Sequence, residues 1–182
     1  MDHRRPGIRP HLTLGRRLDL AARHAMPAVL TLLLLLIATA PFGVPGQAQL
    51  LPAFAMGSVF HWSVLRPIDL SPPVVFVLGL LADLLGLAPV GVMLLSLLLL
   101  QAVVLQWRRT LMTRHFPLLW ISFAVLAAAG SALDWLLYSL LSLRLLPPAP
   151  MLFQAAVAIA IYPALAALLR LAGRLIADPS AG

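Results

Sequence analysis

The sequence predicts an all-α integral membrane protein with six transmembrane helices. Of its 182 residues, 62% are hydrophobic and 10% charged, where soluble domains run at about 45–50% and about 25%. A soluble fold of this length has too little interior to hide that much apolar surface. The apolar residues also fall in five long runs that hold few charges, while the arginines cluster at the start or between the runs. That is the pattern a bilayer imposes.

Residues 1–24 form a basic tail carrying Arg4, Arg5, Arg9, Arg16, Arg17 and Arg23 against Asp2 and Asp19. Leu14, Leu18, Ala21 and Ala22 have helical spacing with arginines opposite, which fits a short helix on the membrane surface. A basic tail without fixed structure fits equally well. The first apolar run, 26–42, contains Ala38-Thr39-Ala40 and so imitates a secretory signal peptide. Pro41 follows the would-be cleavage point and obstructs the peptidase, so the expected outcome is an uncleaved helix.

A second run covers 50–65. The third, 73–107, has 35 residues, and one helix of that length would reach about 52 Å, far beyond a hydrocarbon core of about 30 Å. It must divide into helices over 73–87 and 90–107, with Gly86, Pro89 and Gly91 marking the reversal. The first arm is short, which leaves open whether it spans fully or is buried in protein. A fifth helix is expected over 116–141 and a sixth over 151–172, with Pro163 predicting a kink. Residues 25–176 then make one membrane domain, followed by a short tail at 177–182.

Six crossings with a cytoplasmic amino terminus place twelve arginines inside: six in the tail, Arg66, Arg108, Arg109, Arg114, Arg170 and Arg174. Only Arg144 falls outside. This bias predicts that both termini are cytoplasmic. Trp62, Trp107 and Trp120 fall at the cytoplasmic helix ends, while Trp135 and Tyr138 lie about 22–27 Å further along the fifth helix from Trp120. They are expected to mark the two interfaces.

The composition also narrows the chemistry. There is no cysteine, so disulfides, thiolate metal sites and cysteine nucleophiles are excluded. All 13 basic residues are Arg and all six acids are Asp, which fits a G+C-rich coding bias. The net charge of +7 lacks the aromatic-interleaved basic surface of a nucleic-acid binder, and anionic lipid headgroups are the expected partner. No phosphate loop, nucleophile motif or metal-ligand spacing is present, so no catalytic residue, metal or cofactor is expected.

Two acids, Asp83 and Asp134, lie inside apolar runs, where a charge costs at least about 2.5 kcal/mol at the bilayer centre. Asp83 precedes the hairpin tip and Asp134 adjoins Trp135, so both are expected near the outer interface. Two readings follow. Each acid is hydrated or caps a turn, or the two line an outward-facing polar site that holds a ligand or a partner's helix. Gly79 and Asp83 share one helical face, with Gly86 beyond them, and the run 127–132 around Gly130 is a second small-residue surface suited to close packing.

One stretch carries a resemblance. His61-Trp62-Ser63-Val64-Leu65-Arg66-Pro67, followed by Gly79-Leu80-Leu81-Ala82-Asp83-Leu84-Leu85-Gly86-Leu87-Ala88-Pro89-Val90-Gly91, resembles the rod shape-determining protein MreD family. That family shows an aromatic residue and Arg-Pro before the third helix, then Gly-Leu-x-x-Asp closing in Pro-x-Gly. The motif covers residues 61–91; length and hydropathy extend the likeness over most of the chain. The longer basic tail and Val90 in place of the usual Leu depart from it.

The resemblance implies a non-catalytic, multi-pass component of the cell inner membrane, in the elongation machinery that lays down side-wall peptidoglycan. It implies MreC, MreB, RodZ, RodA and a penicillin-binding transpeptidase as partners. It also implies a fold similar to the membrane substrate-binding subunit of energy-coupling-factor transporters, so a small-molecule-binding transporter subunit is the alternative. Arg66, Pro67, Gly79, Asp83, Gly86, Pro89, Gly91 and Asp134 are the partner-binding or structural candidates.

Overall fold

The computed structural model describes residues 14–40, 47–86, 89–112 and 115–177, the side chains of 14–23 and 175–177 excepted. The tail over 1–13, Pro41, Leu87, Ala88, Arg114 and Asp178 lie outside the described residues. Six α-helices are present among the described residues: α1 Leu14–Thr39, α2 Leu50–Leu65, α3 Pro72–Leu85, α4 Val92–Met112, α5 Phe116–Leu141 and α6 Ala149–Ala177. A 3-10 turn, Gln47–Gln49, leads into α2. Helices α4, α5 and Ala149–Arg174 of α6 are long and apolar enough to cross a membrane, while His24–Thr39 and Pro72–Leu85 are apolar but shorter.

The bundle is organised around α2. It is apolar on every side, and a helix of that kind belongs in the interior. Ala53, Ala55, Met56, Val59, Phe60 and Val64 are all buried, and the helix packs against α1, α4 and α6. At Gly57 a Cβ would lie 2.6 Å from Leu165 Cδ2, so α2 and α6 pack closely there. Behind this contact, Tyr162 stacks on Phe123 with centroids 4.1 Å apart, and Phe60 meets both rings edge-on. By contrast α5 leaves Leu118, Ile121, Val125, Leu136 and Leu140 exposed. An apolar face of that extent suits lipid and not water.

Proline in α6 creates a specific need. Pro163 has no N–H to give the carbonyl of Ile159 one turn back. The indole Nε1 of Trp120, on α5, donates to that carbonyl at 3.0 Å. A neighbouring helix thus satisfies the group that the proline frees, as the interior of a bilayer requires.

Four features differ from the sequence reading. Among the described residues no separate surface helix is present, since α1 runs from Leu14 through Pro27 without a break. The Thr31 hydroxyl donates to the Pro27 carbonyl at 2.7 Å. Helix α4 continues beyond Trp107 to Met112, and α6 beyond Ala172 to Ala177. Arginine is a good helix former, and a cation is favoured at a helix carboxyl end, so these basic segments prolong the helices. Trp62, expected in an interfacial belt, is buried, with its ring edge 3.8 Å from where a Cβ on Gly173 would stand. Its position at a helix end did not reveal that α6 covers it.

Candidate functional site

The carboxyl ends of α1, α3 and α5 and the amino ends of α2, α4 and α6 meet at one end of the bundle around a cleft of about 720 Å³. Asp83 and Asp134 both line it, together with Gln49, Tyr138, Ser142 and Gln154. The two acids, 51 positions apart in sequence, are thereby brought to one cavity. Each is only 2% exposed.

Asp83 is held by the α3–α4 hairpin. The chain leaves α3 at Gly86, whose backbone is extended (φ −81°, ψ 165°), and re-enters a helix after Gly91. Gly91 has φ +103°, a left-handed conformation that glycine adopts at little cost. A glycine before a helix has no side chain to receive the helix's first N–H groups, which otherwise remain unsatisfied. Asp83 supplies the missing acceptor from the neighbouring helix. Its Oδ2 accepts from the N–H groups of Gly91 at 2.8 Å and Leu94 at 3.2 Å, and its Oδ1 from Met93 at 3.0 Å. The carboxylate also faces the positive end of the α4 dipole.

Gly79 explains how Asp83 reaches so far. A Cβ there would lie 2.7 Å from the Leu94 Cα, so α3 and α4 touch backbone to backbone one turn before the acid. Pro89 and Gly86 line the cleft beside it. The sequence motif therefore folds into one locked hairpin: a close approach at Gly79, a cap at Asp83, an exit at Gly86 and a left-handed return at Gly91.

Asp134 is placed differently. It lies on α5, and its Oδ1 accepts from the Ser96 hydroxyl of α4 while its Oδ2 accepts from Gln154 Nε2 of α6 at 3.0 Å. An ionised carboxylate offers about four lone-pair sites, so two donors leave part of its capacity open. Arg144 is exposed in the α5–α6 connection, and among the described residues neither it nor any other arginine or histidine lines the cleft. Ser96 and Gln154 were not singled out by sequence. The available signal was a hydroxyl and an amide within apolar runs, which is common and weak.

Arg66 and Pro67 sit at the opposite end of the bundle. Arg66 closes α2 through its own N–H to the Trp62 carbonyl at 2.7 Å, and its guanidinium is 3.7 Å from Asp69 Oδ2. His24 Nδ1 of α1 bonds Asp69 Oδ1, and Arg108 Nε of α4 donates to the Val64 carbonyl at 2.9 Å. Gln101 Nε2 donates to the Leu70 carbonyl at 2.7 Å, so this amide supports the loop before α3. Asp69 ties α1 to the α2–α3 connection. Arg170 stands over the Phe116 ring at 5.2 Å on the same side. The arginine-rich end is thus a surface of helix-closing contacts, and the cleft lies at the other end.

Comparison with protein-family models, with curated proteins and with solved structures finds no match to this chain.

Proposed function

We propose that this chain is a six-span, non-catalytic membrane component of the cell-shape machinery, related to the MreD family and scaffolding side-wall peptidoglycan synthesis. The observation that carries the reading is the hairpin. Gly79, Asp83, Gly86, Pro89 and Gly91, the residues of the resemblance, fall in one structural unit, and Asp83 accepts three backbone N–H groups within it. A motif whose members depend on one another is less easily met by chance than the same residues scattered. Burial of Asp83 and Asp134 argues that a partner helix docks on the lipid-facing surfaces, such as that of α5, and not on the acids directly.

In this reading the protein resides in the inner membrane with both termini cytoplasmic, as the distribution of twelve arginines against one supports. The cleft then opens to the periplasm. MreC, MreB, RodZ, RodA and a penicillin-binding transpeptidase are the expected partners. Purification of the tagged full chain from membranes in mild detergent, followed by mass spectrometry, should recover one or more of these wall-synthesis proteins. Depletion of the chain should turn rod-shaped cells round. Recovery of transporter ATPase subunits with unchanged cell shape would reject this reading.

The cleft favours a second reading, a small-molecule-binding membrane subunit. Its volume of about 720 Å³ falls within the range of roughly 300–1,000 Å³ typical of small-ligand sites. A ligand-binding cleft and a scaffolding role are compatible in one chain.

A further inference from the structure

We infer that the cleft is a receptor for a small organic cation, an ammonium- or guanidinium-bearing molecule with an apolar body, and that Asp134 is the residue that binds its charge. This rests on the second reading above, that the cleft takes a small molecule.

The sign of the cleft follows from its lining. Three helix amino ends and three carboxyl ends meet there, so their opposed dipoles largely cancel and side chains decide. Asp83 and Asp134 are the charged groups among the lining residues. Asp83 is already satisfied within the fold, since the α4 amino end gives it three N–H donors. Asp134 has one hydroxyl and one amide. Neither donor carries charge.

A carboxylate buried in apolar surroundings normally has a cation or a full set of hydrogen-bond donors beside it, because desolvation otherwise goes uncompensated. Asp134 has no cation and only two donors among the described residues, whereas Asp69, on the other side of the bundle, has Arg66. Among the described residues, arginine is present elsewhere in the bundle but not in the lining of the cleft.

The remaining lining supplies what such a cation needs. Tyr138 lies one turn beyond Asp134 on α5 and lines the cleft, which puts an aromatic ring near the site of charge, a pairing that attracts ammonium and guanidinium groups. The Oε1 of Gln49 is buried with no partner, and rotation of its terminal amide offers a second acceptor. Ala82, Leu85, Met93 and Leu146 provide apolar walls. Acceptors and an aromatic face at one side of an apolar cavity define a donor-bearing, positively charged guest.

The absence of cysteine from the chain allows a direct test on the full-length protein in lipid nanodiscs. Leu146→Cys places a thiol in the cleft, over the stretch of α5 that its backbone touches through Trp135 and Ser139. Relative to free cysteine, an aminoethyl thiosulfonate should label it at least about tenfold faster than the anionic sulfonatoethyl reagent, the preference expected of one unscreened charge a few ångströms away. Adding Asp134→Asn should return the ratio to that of free cysteine, and Asp69→Asn, which removes an equal charge at the opposite end of the bundle, should preserve it. Tyramine should slow the labelling, and tyrosol, its neutral counterpart, should not.

A ratio close to that of free cysteine, a preference that survives Asp134→Asn, or one that Asp69→Asn abolishes as well would overturn the assignment to Asp134. Equal protection by tyrosol and tyramine would remove the cationic guest and leave a small-molecule cleft. Protection by neither would remove the small-molecule reading and this inference with it.

Discussion

The α3–α4 and α5–α6 hairpins each bury one aspartate at the same end of the bundle, and they use it in opposite ways. In the first, both carboxylate oxygens are consumed by backbone N–H groups of the hairpin itself. In the second, the carboxylate bridges side chains from two other helices, Ser96 and Gln154. An acid satisfied by backbone is part of the chain's path, because the groups it holds exist whatever the side chains are. An acid satisfied by exchangeable side chains, with lone pairs to spare, is free to serve a guest. Equal burial therefore does not mean equal role.

The largest effect that separates the hairpins is expected from Asp83→Ala. It leaves three N–H groups at the start of α4 without an acceptor, that of Met93 buried and those of Gly91 and Leu94 half-buried, and a buried group left unsatisfied costs about 1–3 kcal/mol, so the yield of folded protein from detergent should fall. An abundance close to the native chain's would break the comparison, since Asp83 would then be no more structural than Asp134. Next comes Gly79→Ala, whose added methyl meets the Leu94 backbone at 2.7 Å. Overpacking of this kind costs about 1–3 kcal/mol, and thermal unfolding in detergent should show a lower midpoint. The smallest effect belongs to Asp134→Asn. It keeps an acceptor for Ser96 and weakens one interhelical bond worth about 0.6 kcal/mol on average in membranes, so its unfolding midpoint should nearly match the native one. A collapse there as deep as that of Asp83→Ala would make both acids structural.

Much of this architecture could be read from residue order alone, and what could not has a common cause. The helices over 50–65 and 116–141 were placed correctly because hydropathy changes sharply at their ends. The hairpin was found because 35 apolar residues cannot cross once, and Gly86, Pro89 and Gly91 sit where the reversal must fall. Hydropathy misplaced ends of α1, α4 and α6, where arginine-bearing residues extend the helix beyond the apolar run, before it in α1 and after it in α4 and α6. Asp83 was legible as an unusual acid, yet its role was not, since every non-proline residue has the N–H that it accepts. Asp134 was harder still. Its partners come from residues 96 and 154, and only the packing of α4 and α6 against α5 brings them together.

The bond from Trp120 to the Ile159 carbonyl ties the fate of two distant positions together. While residue 163 is proline, the indole answers a vacancy that nothing else on α6 fills. Were residue 163 to regain an N–H, the helix would close its own ladder and the indole would become dispensable. Tolerance at position 120 is thus conditional on position 163, and a change acceptable in one lineage of this chain would be harmful in another. The two sites should drift as a pair, although 43 positions separate them and neither touches the cleft.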